Sequence, residues 1–384
     1  MSATPSTAAL FAVQFLLTLG WTIYAAFLPR LASAAGLGSG VVALLLMLDQ
    51  LLFVAGDLAA GIATDRLEGQ LPRLGRAIAL TALLSCLAFL LLPHAAGGGG
   101  AALIAVTVLW TLSSSALRAP VFALLGKHAT PTGLPLAAAG ALVGIGVAGA
   151  VAPLLTAELR HMAPALPFAV ASIALAVAVL ALIRVMPAGL APAPAAAPPS
   201  HGGTAVRLAL LAGLAALAFQ VHANLNSLAL FKRFASGAEL DRLMPLFWIG
   251  FSVAMPAAGG LVRRHGAIPV ASGGALLGAA ASLAAAHAAS LAPLAASQLT
   301  AGAGWALILL PAMSFASQLG RRGAEGRYTG GLFAVLALLA LLRIGISWQQ
   351  LPADPAWAGA LLLVPPLGWA AVALALPLAG RVPR

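Results

Sequence analysis

Three aspartates fall within one apolar stretch, LDQLLFVAGDLAAGIATDR at residues 48–66, of a chain with only nine acidic residues among 384. Asp49 and Asp57 interrupt a leucine- and alanine-rich run long enough to cross a bilayer, and Asp65 closes it beside Arg66. A charge at the bilayer centre costs about 2.5–3.5 kcal/mol on insertion scales, so such residues face a partner or water and mark function. Arg118 and Arg343 also lie inside apolar runs. Asp57 and Arg118 sit at similar depth in their segments, so a buried pair is expected, serving either structure or a coupling switch. Asp49 has no arginine at its depth. Two readings stand for it: a carboxyl that loads and releases a proton, or a neutral acid hydrogen-bonded to Gln50 or a neighbouring helix.

The elements that hold these groups follow from composition. The chain is 62% hydrophobic and 8% charged, with a mean hydropathy of +1.03. A soluble protein carries about a quarter of its residues as charges, and this sequence folded in water would expose large apolar patches. It is therefore read as a polytopic membrane protein lying in a lipid bilayer. Twelve apolar segments are expected as helices: 8–28, 41–64, 77–93, 101–124, 136–157, 166–186, 207–230, 246–262, 268–287, 293–316, 328–349 and 358–379. The stretch 187–206 is rich in Pro, Ala and Gly and reads as a cytoplasmic linker between an N-terminal bundle (1–186) and a C-terminal bundle (207–384). The run that begins at Ala8 lacks a basic flank and is read as a retained helix rather than a signal peptide.

Charge sets the expected orientation. With the N-terminus inside, thirteen Lys/Arg flank the cytoplasmic side and five the outside (Arg30, Arg160, Lys232, Arg233 and Arg242), so both termini are expected in the cytoplasm. The formal charge of +11 could suggest a nucleic-acid partner, but the arginines punctuate apolar runs instead of forming a basic face, and no nucleic acid is expected. The single cysteine, Cys86, allows neither a disulfide framework nor a Cys-based metal site. The Arg-over-Lys bias with abundant Ala and Gly suggests a bacterial inner membrane as location.

The two halves repeat one pattern. Gly61-Ile-Ala-Thr-Asp65-Arg66 follows the second segment, and Gly259-Gly-Leu-Val-Arg263-Arg264-His-Gly266 follows the eighth. These residues resemble the loop signature of the major facilitator superfamily (MFS), Gly-x-x-x-Asp-Arg-x-Gly-Arg, with its degenerate second copy. The closing Gly-Arg appears only at Gly75-Arg76, and Arg263 stands where the second aspartate would be. The resemblance implies an all-α membrane protein of the MFS fold, with two six-helix bundles related by pseudo-two-fold symmetry around a central cavity that opens alternately to each side. It implies a conformational latch at Gly61, Asp65, Arg66, Gly259, Arg264 and Gly266. Arg118 is similar to a helix-4 arginine that many proton-coupled members keep, so Asp49, Asp57 and Arg118 are the expected coupling residues. Gly140, Gly144, Gly146, Gly149 and Pro153 resemble the glycine-rich helix-5 signature of drug/proton antiporters, and small residues serve close packing equally well.

In this superfamily helices 1, 4, 7 and 10 line the cavity, and the resemblance places the expected substrate contacts there: Gln14, Trp21 and Tyr24; Trp110 and Ser114; His222 and Asn226; Gln298 and Trp305; with Arg343 added from segment eleven. Half of these groups could equally be polar glue between helices. Aromatic and amide groups suit a small amphipathic organic molecule better than a bare ion. Motifs for ATP binding, zinc hydrolysis and serine hydrolysis are missing, so no enzyme activity and no cofactor or metal are expected. The resulting expectation is a monomeric, proton-coupled secondary transporter, export favoured. Proton-symport uptake of a metabolite or siderophore is the alternative, and a non-transporting membrane sensor the reading from another class.

Overall fold

A computed structural model describes residues 5–66, 71–128, 134–159, 161–185, 202–320 and 323–379. Among them are twelve helices long and apolar enough to cross a membrane, and no strand. Hydrocarbon offers the backbone no hydrogen bonds, so each apolar run closes its own. In chain order the helices are α1 (Pro5–Ala34), α2 (Gly40–Arg66), α3 (Leu71–Ala95), α4 (Gly100–His128), α5 (Leu134–Leu159) and α6 (Ala165–Val185). The second half has α7, which runs Gly202–Phe219, passes through a π-helical stretch Gln220–Asn226 and ends with Ser227–Phe231. It continues with α8 (Leu246–His265), α9 (Ala267–Ala286), α10 (Leu291–Leu319), α11 (Glu325–Trp348) and α12 (Pro355–Ala379).

Several helices run beyond the sequence reading, α1 to Ala34 instead of 28 and α3 from Leu71 instead of 77. Helix α7 begins at Gly202, so residues 202–206 are helical rather than linker, while 187–201 lie outside the described residues. A short helix, Gly237–Leu243, precedes α8. Its first turn is closed by the Glu239 carboxylate, which accepts the Ser236 backbone N–H at 2.8 Å and its hydroxyl at 2.8 Å.

Large apolar side chains face outward in stripes. Val170, Ile173, Val177 and Leu180 recur at helical spacing along α6 and are all exposed, as are Leu80, Leu83, Leu87 and Leu90 along α3. Such a surface has no place in water; it is the face a bilayer would cover.

The halves meet along two seams, α2 with α4 against α11 and α5 against α8 and α10, and the α2–α11 packing is the most extensive of any helix pair. The two ends of the molecule differ. On the side where α1 begins and α12 finishes, here the terminal side, one continuous apolar core crosses both halves; it includes Leu10, Leu142, Leu182, Met255, Met313 and Leu332. Toward the far side two further clusters belong to single halves, around Phe27, Phe89 and Phe168 in the first and around Phe231 and Leu294 in the second, while the shared core continues there to Phe247.

Candidate functional site

The aspartates of α2 meet one stripe of α4. Thr111, Ser115 and Arg118 lie at i, i+4 and i+7, so they share a helical face. The Arg118 guanidinium grips Asp57 two ways, Nε donating to Oδ1 at 3.2 Å and Nη2 to Oδ2, and the Ser115 hydroxyl donates to Oδ1 at 2.8 Å. Asp57 is fully buried. Arg118 also lies 4.1 Å from the Phe53 ring centroid and 5.7 Å from that of Phe333 on α11, so its charge sits at the α2–α11 seam.

Eight residues back along α2, Asp49 is equally buried, and no cation among the described residues lies within ion-pair distance of it. Its two oxygens accept the Thr111 hydroxyl at 2.7 Å and the Tyr24 hydroxyl at 2.8 Å. Tyr24 is itself fully buried and packs on Trp110, ring centroids 4.7 Å apart. Trp110 lies in turn 5.0 Å from Phe89, and Ser114 donates to the Thr111 carbonyl at 3.1 Å. Trp110, Ser114 and Gln14 are thus buried inside the first half. Thr111 and Ser115, the hydroxyl partners of the two aspartates, escape a reading of the sequence; their spacing from Arg118 is the signal that could have found them.

The expected latch residues lie at the two seams. The Asp65 carboxylate crosses to the first turn of α11 and accepts the backbone N–H groups of Gly326 at 2.7 Å and Arg327 at 2.8 Å. Helix α11 needs this acceptor, because Ala324 at its N-cap has no side-chain oxygen to offer. The cap of one half's helix is supplied by the other half. Gly61 makes the approach feasible: a Cβ there would overlap the Gly326 carbonyl, and one on Gly330 would overlap the Asp57 carbonyl. The second copy works similarly at the other seam, where a Cβ on Gly259 would press on Leu136 and on the Pro135 carbonyl of α5. Gly266 ends α8 with φ +86°, a left-handed turn that glycine adopts freely. Arg66 and Arg264 are exposed.

In the second half the expected substrate groups form a separate cluster. Asn226 donates to the Leu361 carbonyl of α12 at 2.9 Å. The Ser227 hydroxyl reaches Gln298 Oε1 on α10 at 3.0 Å and the His222 carbonyl at 2.8 Å. The His222 ring sits between Phe247 and Trp369, and Trp305 stacks on Phe219 with centroids 4.6 Å apart. Polar atoms remain without a hydrogen-bond partner on Gln14, Trp21, His222, Gln298 and Arg343. The ten expected substrate residues therefore do not form one wall. Tyr24 and Trp110 gather at the Asp49 network, with half-buried Trp21 packed against the same core; His222, Asn226, Gln298 and Trp305 lie about the π-helical part of α7; and Arg343 is half-buried on α11. A π-helical stretch often marks a functional position.

Solved structures decide the fold. The chain superposes on the human organic anion transporter TETRAN with a TM-score of 0.75 at 16% identity, covering 98% of each chain. It superposes on a bacterial homologue of the iron transporter ferroportin, in an outward-facing state, with a TM-score of 0.76 at 15% identity, covering 99% of this chain and 100% of that one. A third match is FucP, a Major Facilitator Superfamily transporter in the outward conformation, with a TM-score of 0.67 at 16% identity, over 98% and 99% of the two chains. This is the major facilitator fold. No protein-family model and no curated protein matches the sequence.

Within the facilitator fold the α5 glycines have a physical task. Gly144 packs against the Phe11 carbonyl of α1, while Gly146 and Gly149 admit Phe251 and Trp248 of α8. A helix pressed between its own half and the opposite one needs small residues on both faces.

Proposed function

We propose that the chain is a proton-coupled secondary transporter that moves a small amphipathic organic molecule across a bacterial inner membrane by alternating access. The observation that carries this reading is the Asp65 cap on α11, which ties the two halves together at the terminal side. A bond between the halves at the terminal end weights one of two states, which alternating access requires. The arginine excess on the terminal side makes that side cytoplasmic, with both termini there.

Asp49 is the carboxyl proposed to carry the proton. Its partners are hydroxyls, which serve the ionised acid as donors and the protonated acid as acceptors. Tyr24 links it to Trp110, so a change of protonation reaches the packing of α1 against α4. Asp57 and Arg118 form a salt link at the α2–α11 seam, next to the latch. The substrate contacts proposed are Trp21, Arg343 and the His222–Gln298 cluster, whose unpartnered polar atoms can accept a ligand. Export is favoured by the likeness of α5 to antiporter signatures. Uptake by symport is the second reading; one structural relative is a fucose:proton symporter.

The test is proton flux in liposomes that contain the purified protein and a trapped pH dye, challenged with a panel of amphipathic organic cations, anions and neutral compounds. Solute-dependent acidification or alkalinisation is expected for at least one class. Solute movement without proton movement would remove the coupling, and a silent panel would favour the sensor.

A further inference from the structure

The second half contains a cavity of about 310 Å³ on the terminal side, between the first turns of α7, α9 and α11 and the last turns of α10 and α12. It reaches up to Ala215 and Ile308, one turn below the Phe219–Trp305 stack. Leu208, Ala212, Phe315, Leu332 and Leu376 are typical of its walls. The volume lies at the lower end of the range of small-molecule sites, about 300–1,000 Å³. Water is a poor occupant, because an ordered water needs two to four polar partners and these walls are hydrocarbon. Left empty, the apolar walls would forfeit the dispersion contacts that an occupant supplies.

The polar groups stand at one end. Arg327 and Tyr328 line the cavity from the first turns of α11. Arg327 is exposed, and no described carboxylate lies within ion-pair distance of its guanidinium. The two carboxylates nearby are turned to backbone: Asp65 accepts the N–H groups of Gly326 and Arg327, and Glu325 that of Gly323 at 3.2 Å. Arg207, between the lining residues Val206 and Leu208, adds a second guanidinium on this side.

We propose that this cavity binds an anionic amphiphile, one apolar chain of it filling the space between α7 and α10 and its carboxylate or phosphate held by Arg327. The site is distinct from the aspartate networks of the first half. Its head group would sit one residue from the latch, since the backbone N–H of Arg327 is one of the two that Asp65 caps. Occupancy would therefore order the α11 terminus and favour closure of the terminal side.

The chemistry could come from a free fatty acid or from a lipid of the bilayer, and photolabelling of the purified full chain distinguishes them. Diazirine-bearing palmitate, phosphatidylglycerol and, as neutral control, phosphatidylcholine are crosslinked, and adducts are mapped to peptides. Adducts within 205–215 and 308–319 are expected from at least one anionic probe. Palmitate alone would name a soluble fatty acid, and phosphatidylglycerol alone a membrane lipid. Ala312→Phe and Ala271→Leu, which fill the cavity, should each cut this labelling at least fivefold. Arg327→Gln, an exposed change that leaves the fold intact, should reduce anionic labelling to the phosphatidylcholine level. Absence of adducts in both segments, or labelling equally strong with phosphatidylcholine and indifferent to Arg327→Gln, overturns the proposal.

Discussion

Removing the Asp65 carboxylate should open the terminal side without unfolding the protein, by an amount its hydrogen bonds allow to be worked out. The carboxylate accepts two backbone N–H groups across the α2–α11 seam, at 2.7 and 2.8 Å. A hydrogen bond to a charged group is worth a net ~1.5–3 kcal/mol, and partial solvent exposure of Asp65 argues for the lower figure. Asp65→Asn keeps one carbonyl oxygen and so loses about one bond and the favourable interaction with the α11 dipole, roughly 1.5–2 kcal/mol in all. Asp65→Ala loses both, about 3 kcal/mol. At about 1.4 kcal/mol per factor of ten, the closed state should lose about 10- to 30-fold in weight with Asn and about 150-fold with Ala. Thr64→Cys, one residue away and buried in the parent, reports this through its rate of modification by a membrane-impermeant maleimide, in a Cys86→Ser background. The rate should rise in the order parent, Asn, Ala, with thermal midpoints little changed. Equal rates in all three would show that the cap does not hold the terminal side closed.

The other predictions concern the two networks and the orientation. Asp57→Asn should lower folded yield, since breaking a buried pair typically costs about 3–5 kcal/mol; adding Arg118→Gln should partly restore it, and strictly additive losses in thermal melts would disprove coupling between the two residues. Asp49→Asn should give a stable protein that binds substrate without coupling it to a pH gradient, and full gradient-driven accumulation by that variant would remove Asp49 as proton carrier. Gly61→Leu should block closure of the terminal side, because its side chain meets the Gly326 carbonyl; Thr64→Cys labelling at the parent rate would contradict this. Reporter fusions within 187–201 and after Arg384 should both read cytoplasmic, and an external signal at either would overturn the orientation.

The spans were legible because hydrophobic length alone decides what hydrocarbon accepts, and the pairing of Asp57 with Arg118 because depth along a helix can be counted. What the sequence hid was rotation. Trp110, Ser114 and Arg118 repeat at four-residue spacing and read as one face, yet four residues advance about 400° and the face drifts about 40° each time. Arg118 consequently joins Thr111 and Ser115 toward α2, whereas Trp110 turns into the aromatic core of the first half. The π-helical register of Gln220–Asn226 was hidden too, since it is a choice of hydrogen-bond partner that no residue type in QVHANLN announces. The early start of α7 was hidden because Gly202-Gly203-Thr204-Ala205 has the composition of the linker before it. The partner of Asp65 was not legible: a helix end whose N–H groups seek an acceptor has no sequence signature beyond the lack of a capping residue at Ala324.

That target has an evolutionary consequence. Because Asp65 binds main-chain N–H groups, the α11 half of the contact needs no particular side chain, only a small residue at Gly326, where a Cβ would meet the Gly61 carbonyl. Residues 325 and 327 can drift without loosening the grip, and no compensating partner need change with them. In an alignment of relatives, Asp65 should stand constant yet co-vary with nothing, leaving this bond between the halves invisible to any method that infers contacts from paired substitutions.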